Sequence, residues 1–199
     1  NKTLAKSNKE KIFLAASTHQ GEEEKIFKAL KIIKEKIPNL ITIIAPRNPK
    51  RKEEIRNLAE EYSLIIKIRS MAEEITSETD IYLADTMGEL GIFFKISNVT
   101  FVGGSLVDIG GHNLLEPARF KNPTLTGTFN YNFTDILELM VNEKATKIVN
   151  DYNELANEVI EILTNEKIAK EMRMNASKAV EKNSNILEKV MDSLTPYLK

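Results

Sequence analysis

The chain has 199 residues, 42% of them hydrophobic and 29% charged, with a formal net charge of -1 and a pI near 6.3. One soluble α/β domain is a common outcome at that length, and no apolar run approaches the roughly 20 residues that span a bilayer. The charge balance provides no field for a polyanion, which argues against a nucleic-acid binder, and the absence of cysteine excludes disulfides and thiolate metal sites.

Residues 1–10 are polar, lysine-rich and without periodicity, and read as a linker. Apolar, β-branched runs follow at 12–16, 41–45, 64–68, 81–84, 100–102, 124–126 and 147–149. Amphipathic stretches lie between them, at 22–36 with Ile26, Leu30 and Ile33 on one face and at 52–62 with Ile55, Leu58 and Ala59. This alternation predicts βαβ units: a doubly wound, mostly parallel sheet with helices on both faces. From Tyr152 onward the pattern is helical. Leu155, Val159, Ile162 and Leu163 mark one face, Ile186, Leu187, Val190, Met191 and Leu194 another, and Pro196 closes the series. Parallel sheets bind ligands beyond the carboxyl ends of their strands, so the chemistry is sought in the loops that follow each run.

After the first run comes Ser17-Thr18-His19-Gln20-Gly21-Glu22-Glu23. Its hydroxyls and imidazole face a cleft, or Ser17 or Thr18 caps the next helix; the acidic run Glu22, Glu23 and Glu24 reads as a solvated first turn. After the second run, Arg47 in Pro46-Arg47-Asn48-Pro49 is either a phosphate ligand or an exposed surface arginine. After the fourth, Asp85-Thr86-Met87-Gly88-Glu89-Leu90 is a glycine turn opening a helix. Its amides hold a base edge or sugar hydroxyl, or Thr86 and Glu89 form a capping box.

The strongest signal is Phe101-Val102-Gly103-Gly104-Ser105-Leu106 followed by Gly110-Gly111-His112-Asn113-Leu114-Leu115-Glu116-Pro117, with half of the eight glycines inside nine residues. A helix starting near His112 or Asn113 aims free amides at a phosphate, with Gly110 and Gly111 as the phosphate loop and Glu116 one turn inside, placed for ribose hydroxyls. A tight turn with a capping glutamate is the alternative. His19 and His112 are the chain's two histidines. Neither fits a metal-ligand spacing, and neither a metal nor a cofactor is expected.

In this order the four loops resemble the C-terminal half of the Kdo transferases, which belong to the GT-B glycosyltransferases. The resemblance covers about residues 12–132. Asn48 and Leu114 stand where relatives often carry His and Pro. The resemblance implies that residues 11–199 form a nucleotide-sugar donor-binding domain, with its C-terminal helices from about residue 152. A preceding acceptor domain would carry the general base and the membrane contacts.

It further implies CMP contacts from Pro46, Arg47, Met87, Gly88, Glu89, Asn113, Leu114, Leu115 and Glu116, and donor-sugar contacts from Ser17, Thr18 and His19. The donor would be CMP-Kdo and the acceptor the lipid A precursor, at the cytoplasmic face of the bacterial inner membrane. The domain alone would be inactive. A GT-B transferase or epimerase using a UDP-sugar is the alternative enzyme, and a non-catalytic nucleotide-binding module the alternative of another class. In GT-B enzymes the last helix commonly crosses back to the other domain, so residues 186–198 are expected to expose an apolar face.

Overall fold

The computed structural model describes residues 11–194, with side chains through residue 184. Seven strands form one sheet: β1 (Ile12–Thr18), β2 (Ile41–Pro46), β3 (Ile66–Ile68), β4 (Ile81–Leu83), β5 (Val99–Val102), β6 (Thr124–Thr126) and β7 (Thr146–Ile148). Their order is β3-β4-β2-β1-β5-β6-β7, and every pairing is parallel. Crossovers between successive strands are made by α1 (Glu22–Lys36), α2 (Lys52–Glu61), α3 (Leu90–Ile96), α4 (Leu115–Arg119) and α5 (Thr134–Asn142), except from β3 to β4, where a loop with a 3-10 turn at Arg69–Met71 serves, before α6 (Tyr152–Thr164) and α7 (Glu166–Leu194) close the chain.

Period-2 alternation sorts the strand side chains between two layers. Phe13, Ala15, Ile44, Ile81 and Leu83 face Phe27, Leu30 and Ile33 of α1, Ile55 of α2 and Val159 and Ile162 of α6. Leu14, Ala16, Ile43 and Tyr82 face the other way, onto Phe93 and Phe94 of α3. A third cluster beyond β5 joins Val102, Leu114, Leu115 and Ala118 to Met140 of α5 and Ala176 and Ala179 of α7. The two small residues of α7 allow it to lie close beneath α4.

All seven strands fall where the apolar runs placed them. The third is shorter than its run, because Ile65 N–H donates to the Asp80 carboxylate (2.7 Å) instead of a ladder partner. Helix α5 was not anticipated, although Ile136, Leu137 and Leu139 pack with the fully buried Met140 into the cluster beyond β5. The buried face of α6 is the one expected. The linker 1–10, the apolar side chains assigned at 186–194, Pro196 and the crossing-back face fall outside the described residues or side chains.

The chain runs outward from β1 to β2 and on to the edge strand β3, steps back to place β4 between β3 and β2, and then crosses to start β5 on the other side of β1. The carboxyl ends of β1 and β5 therefore flank the topological switch point, where open parallel sheets leave a crevice.

Candidate functional site

The loops after β1, β2, β4 and β5 meet on one rim of the sheet around a two-lobed cleft. One lobe, of about 90 Å³, is lined by Pro46, Thr86, Met87 and Gly88. The other, of about 250 Å³, is lined by His112, Asn113, Glu116 and Phe133. Ser17, Arg47 and Leu90 border both, so the lobes are continuous.

The loop after β1 is held from below. Ser17 sits at φ 56°, in the left-handed region that an L-residue occupies at a cost of about 1–3 kcal/mol, and the β1–β2 register shifts beside it. Thr18 turns inward, fully buried, and its hydroxyl donates to Glu23 Oε1 (2.8 Å). It does not line the cleft. Nor does either hydroxyl cap α1, whose N-cap is Gly21 at φ 87° without a side-chain bond.

The acidic run is likewise not a solvated turn, for Glu22 and Glu23 are both completely buried and Glu24 alone is exposed. Glu22 accepts from the amides of His19 (2.9 Å), Gly104 (2.7 Å), Ser105 (3.0 Å) and Leu106 (3.0 Å). Glu23 accepts a two-pronged bond from Arg51 (2.8 and 3.0 Å). A buried carboxylate is tolerated when such donors replace its water.

That anchoring fixes the glycine loop after β5. A Cβ on Gly103 would lie 2.7 Å from the Ser17 carbonyl oxygen and 2.8 Å from Glu22 Oε2, so no side chain fits. Gly110 and Gly111 have positive φ but are buried against Tyr131 and Asn132 and against Asn130, respectively, and the Gly111 amide donates to the Gly104 carbonyl (2.7 Å). They shape the turn and do not line the cleft.

The helix opens at Leu115, later than expected, and runs for five residues, so Glu116 is its second residue and not one turn in. Leu114 and Leu115 point into the core. The amides of His112, Asn113 and Leu114 donate to no group among the described residues, while Asn113 Oδ1 accepts the Leu115 amide (3.0 Å). Glu116 is exposed on the cleft wall.

In the loop after β4, Asp85 is buried and accepts from Ser70 N (2.9 Å) and its hydroxyl. This fastens the turn carrying Arg69, whose Nε donates to Glu89 Oε2 (2.6 Å). The Arg69 guanidinium, helped by the Thr86 hydroxyl, holds the Glu89 carboxyl at about 2. Thr86 thus bonds the side chain of Glu89 in place of capping α3, and Glu89 stands behind the cleft wall instead of in it. Met87 is 72% exposed, at the rim beside Gly88, whose φ is 80°.

Arg47 is exposed on the border between the lobes, and its side chain has no hydrogen-bond or ion-pair partner among the described residues. Asn48 accepts from the Lys50 amide (3.1 Å), which stiffens the turn after it. His19 and His112 meet across the switch point with Nε2 atoms 2.8 Å apart and rings 14° from parallel. Burial, then the neighbouring His19 and Arg47, push the His112 imidazole down to about 4.

Of the residues singled out in the sequence, the structure brings Ser17, Pro46, Arg47, Met87, Gly88, Asn113 and Glu116 onto one cleft and leaves Thr18, Glu89, Leu114, Leu115, Gly110 and Gly111 behind it. His19 reaches it through His112. Sequence reasoning missed Glu22, Glu23 and Arg51 as the frame of the site, and the meeting of the two histidines. Two glutamates directly after a His-x-Gly turn were the available signal. An unpartnered cation, a loop at His112 and Asn113 whose amides are unpaired, and an exposed carboxylate, all bordering one cleft, suit a ligand with one anionic group and nearby hydroxyls.

The family model for glycosyl transferases group 1 matches residues 2–179. The chain is 37% identical over 189 residues to a 3-deoxy-D-manno-octulosonic acid transferase of Haemophilus influenzae, covering 94% of this chain and 44% of that one. To the transferase of the same description from Rickettsia bellii it is 32% identical, covering 94% and 45%. It therefore spans less than half the length of these relatives. Among solved structures, the C-terminal CMP-Kdo binding domain of WaaA from Acinetobacter baumannii superposes with a TM-score of 0.83 at 34% identity, covering 87% of this chain and 90% of that one.

Proposed function

The chain belongs to the glycosyl transferases group 1 family, and on that premise we propose that it binds CMP-Kdo as the donor half of an enzyme that transfers Kdo to the lipid A precursor in lipopolysaccharide synthesis. The observation that carries the reading is Arg47, a cation without a partner among the described residues, standing between Met87 and Gly88 on one side and Asn113 and Glu116 on the other. CMP has one phosphate, and one guanidinium with adjacent free amides is a matching charge. The likeness to a CMP-Kdo binding domain supports the choice of nucleotide.

In this reading Pro46 and Arg47 hold the phosphate, Met87 and Gly88 meet the base, and Glu116 accepts from ribose hydroxyls next to Asn113. Leu114 and Leu115 contribute main chain, while Glu89 shapes the Met87–Gly88 turn. Ser17 and His19 lie nearest the sugar. Arg47 and the amides of residues 112–114 stabilise the departing CMP electrostatically, without a metal ion. The acceptor hydroxyl is activated by a base outside this chain, so the chain alone turns over no donor. No helix among the described residues is long and apolar enough to cross a membrane. Acceptor and contact with the cytoplasmic face of the inner membrane belong to the other half.

A nucleotide competition tests the reading. CMP binding more tightly than UMP, UDP or AMP, and equally well in excess EDTA, is the expected outcome. Preference for UDP would make the chain the donor half of a different transferase or epimerase.

A further inference from the structure

We infer that His19 and His112 form a dyad that takes up one proton when an anionic nucleotide enters the cleft, becoming a second cation beside Arg47 at the phosphate. The inference rests on reading the cleft as a donor site. With their Nε2 atoms 2.8 Å apart, the rings hold a single proton between them, one donating and the other accepting. An added proton converts the donor ring to imidazolium without breaking that bond, so the charge is shared across two rings and two loops. The rings roof Gly104, where a Cβ would lie 3.1 Å from His112 Cδ2, so this approach depends on glycine there.

In the ligand-free cleft His112 is held neutral for identifiable reasons. Half-burial disfavours its charge, and the neighbouring His19 and Arg47 repel it, which is why His112 is driven down to about 4. Of the charged groups on the surrounding elements, Glu22 lies beneath His19 but is engaged by four amides, Glu23 is closed by Arg51, and Lys25 donates to the Leu106 carbonyl. Asp108 is exposed on the glycine loop and Glu116 lines the same lobe as His112. No carboxylate among these is bonded to either ring. A phosphate at Arg47 neutralises the repelling cation and places an anion beside His112. An opposite charge within about 4–6 Å moves a titration by about one to three pH units. His112 thereby acts as a binding residue for the anion, and His19 as a positioning residue that holds its proton.

The chain has two histidines, so the imidazole proton resonances can be followed without ambiguity. The probe is the methyl ester of CMP, whose phosphodiester keeps one negative charge across this range, as the sugar nucleotide does. Titration from pH 4 to 8 is expected to show the His112 midpoint about two pH units higher with the ester bound. Affinity should then be about tenfold greater at pH 5 than at pH 8. His19→Gln, which keeps a donor to His112 but cannot share the proton, should flatten that pH dependence. If the ester binds and the midpoint moves by less than about half a pH unit, with affinity flat across the range, the dyad is a neutral structural bond and this inference alone is overturned. If millimolar ester does not bind at either pH, the donor-site reading falls and the inference with it.

Discussion

The carboxylate of Glu22 lies directly beneath Gly104, accepting its amide at 2.7 Å from a position with no solvent exposure. Through Gly104 and the next two amides, the first turn of α1 fixes the loop that bears His112, Asn113 and Glu116. Glu22→Gln puts an amide donor where only acceptors fit, and should destabilise the fold by about 2–4 kcal/mol, roughly one to three kcal/mol for each donor left unpaired. Thermal unfolding should register this as a drop of roughly 4–16 °C. An unchanged melting temperature would mean that the loop holds its shape without this anchor.

Gly127 and Gly88 separate steric from conformational demand. A Cβ on Gly127 would lie 2.2 Å from the carbonyl oxygen of Ser105, whereas Gly88 has open space around it but φ 80°. Gly127→Ala should cost about 3 kcal/mol, because backbone has to move. Gly88→Ala should cost about 1 kcal/mol of backbone strain. Chemical denaturation of the two variants side by side checks the ranking.

Arg47→Ala should weaken CMP binding by roughly 10- to 100-fold, the equivalent of about 1.5–3 kcal/mol for a charge-assisted bond. Because the side chain is exposed and unpartnered among the described residues, the melting temperature should stay within about 2 °C of the parent. Calorimetry on the same samples reads both. Loss of stability without loss of affinity would make Arg47 structural.

Acid should weaken the fold in two successive windows. His112 is held below its ordinary value, so its contribution is full above about 6.5 and is lost as pH falls toward about 4. The Glu89 carboxyl is also depressed, by Arg69, and its contribution is present above about 4.5 and lost toward about 2. Urea midpoints measured from pH 7 to pH 2.5 should show both declines. His112→Gln should remove the first and Glu89→Gln the second; a wild-type profile flat above pH 4.5 would contradict the state assigned to His112.

The strands and principal helices were legible because each carries enough apolar residues at one period to declare itself, as Ile12 to Ala16 and the Ile26–Leu30–Ile33 stripe do. Helix α5 was not, since its nine residues are too short a run for Ile136, Leu137, Leu139 and Met140 to distinguish a helix from a buried strand by period alone. The loops that matter were legible as motifs, but not which members reach the cleft. Glu22 and Glu89 are acidic residues at helix starts like many others. Their partners, the Gly104 amide 82 residues away and the Arg69 side chain, are set by the tertiary fold. The two histidines are 93 residues apart, and only the return of the chain to β5 beside β1 joins them.

The most direct test of the central claim is a titration of CMP into the chain followed by backbone amide NMR, with UMP and AMP as controls. Shifts concentrated at Arg47, at Met87 and Gly88 and at His112 to Glu116, larger for CMP than for either control, are the predicted result. CMP shifts that fall elsewhere on the surface, or are matched in place and size by AMP, would contradict it.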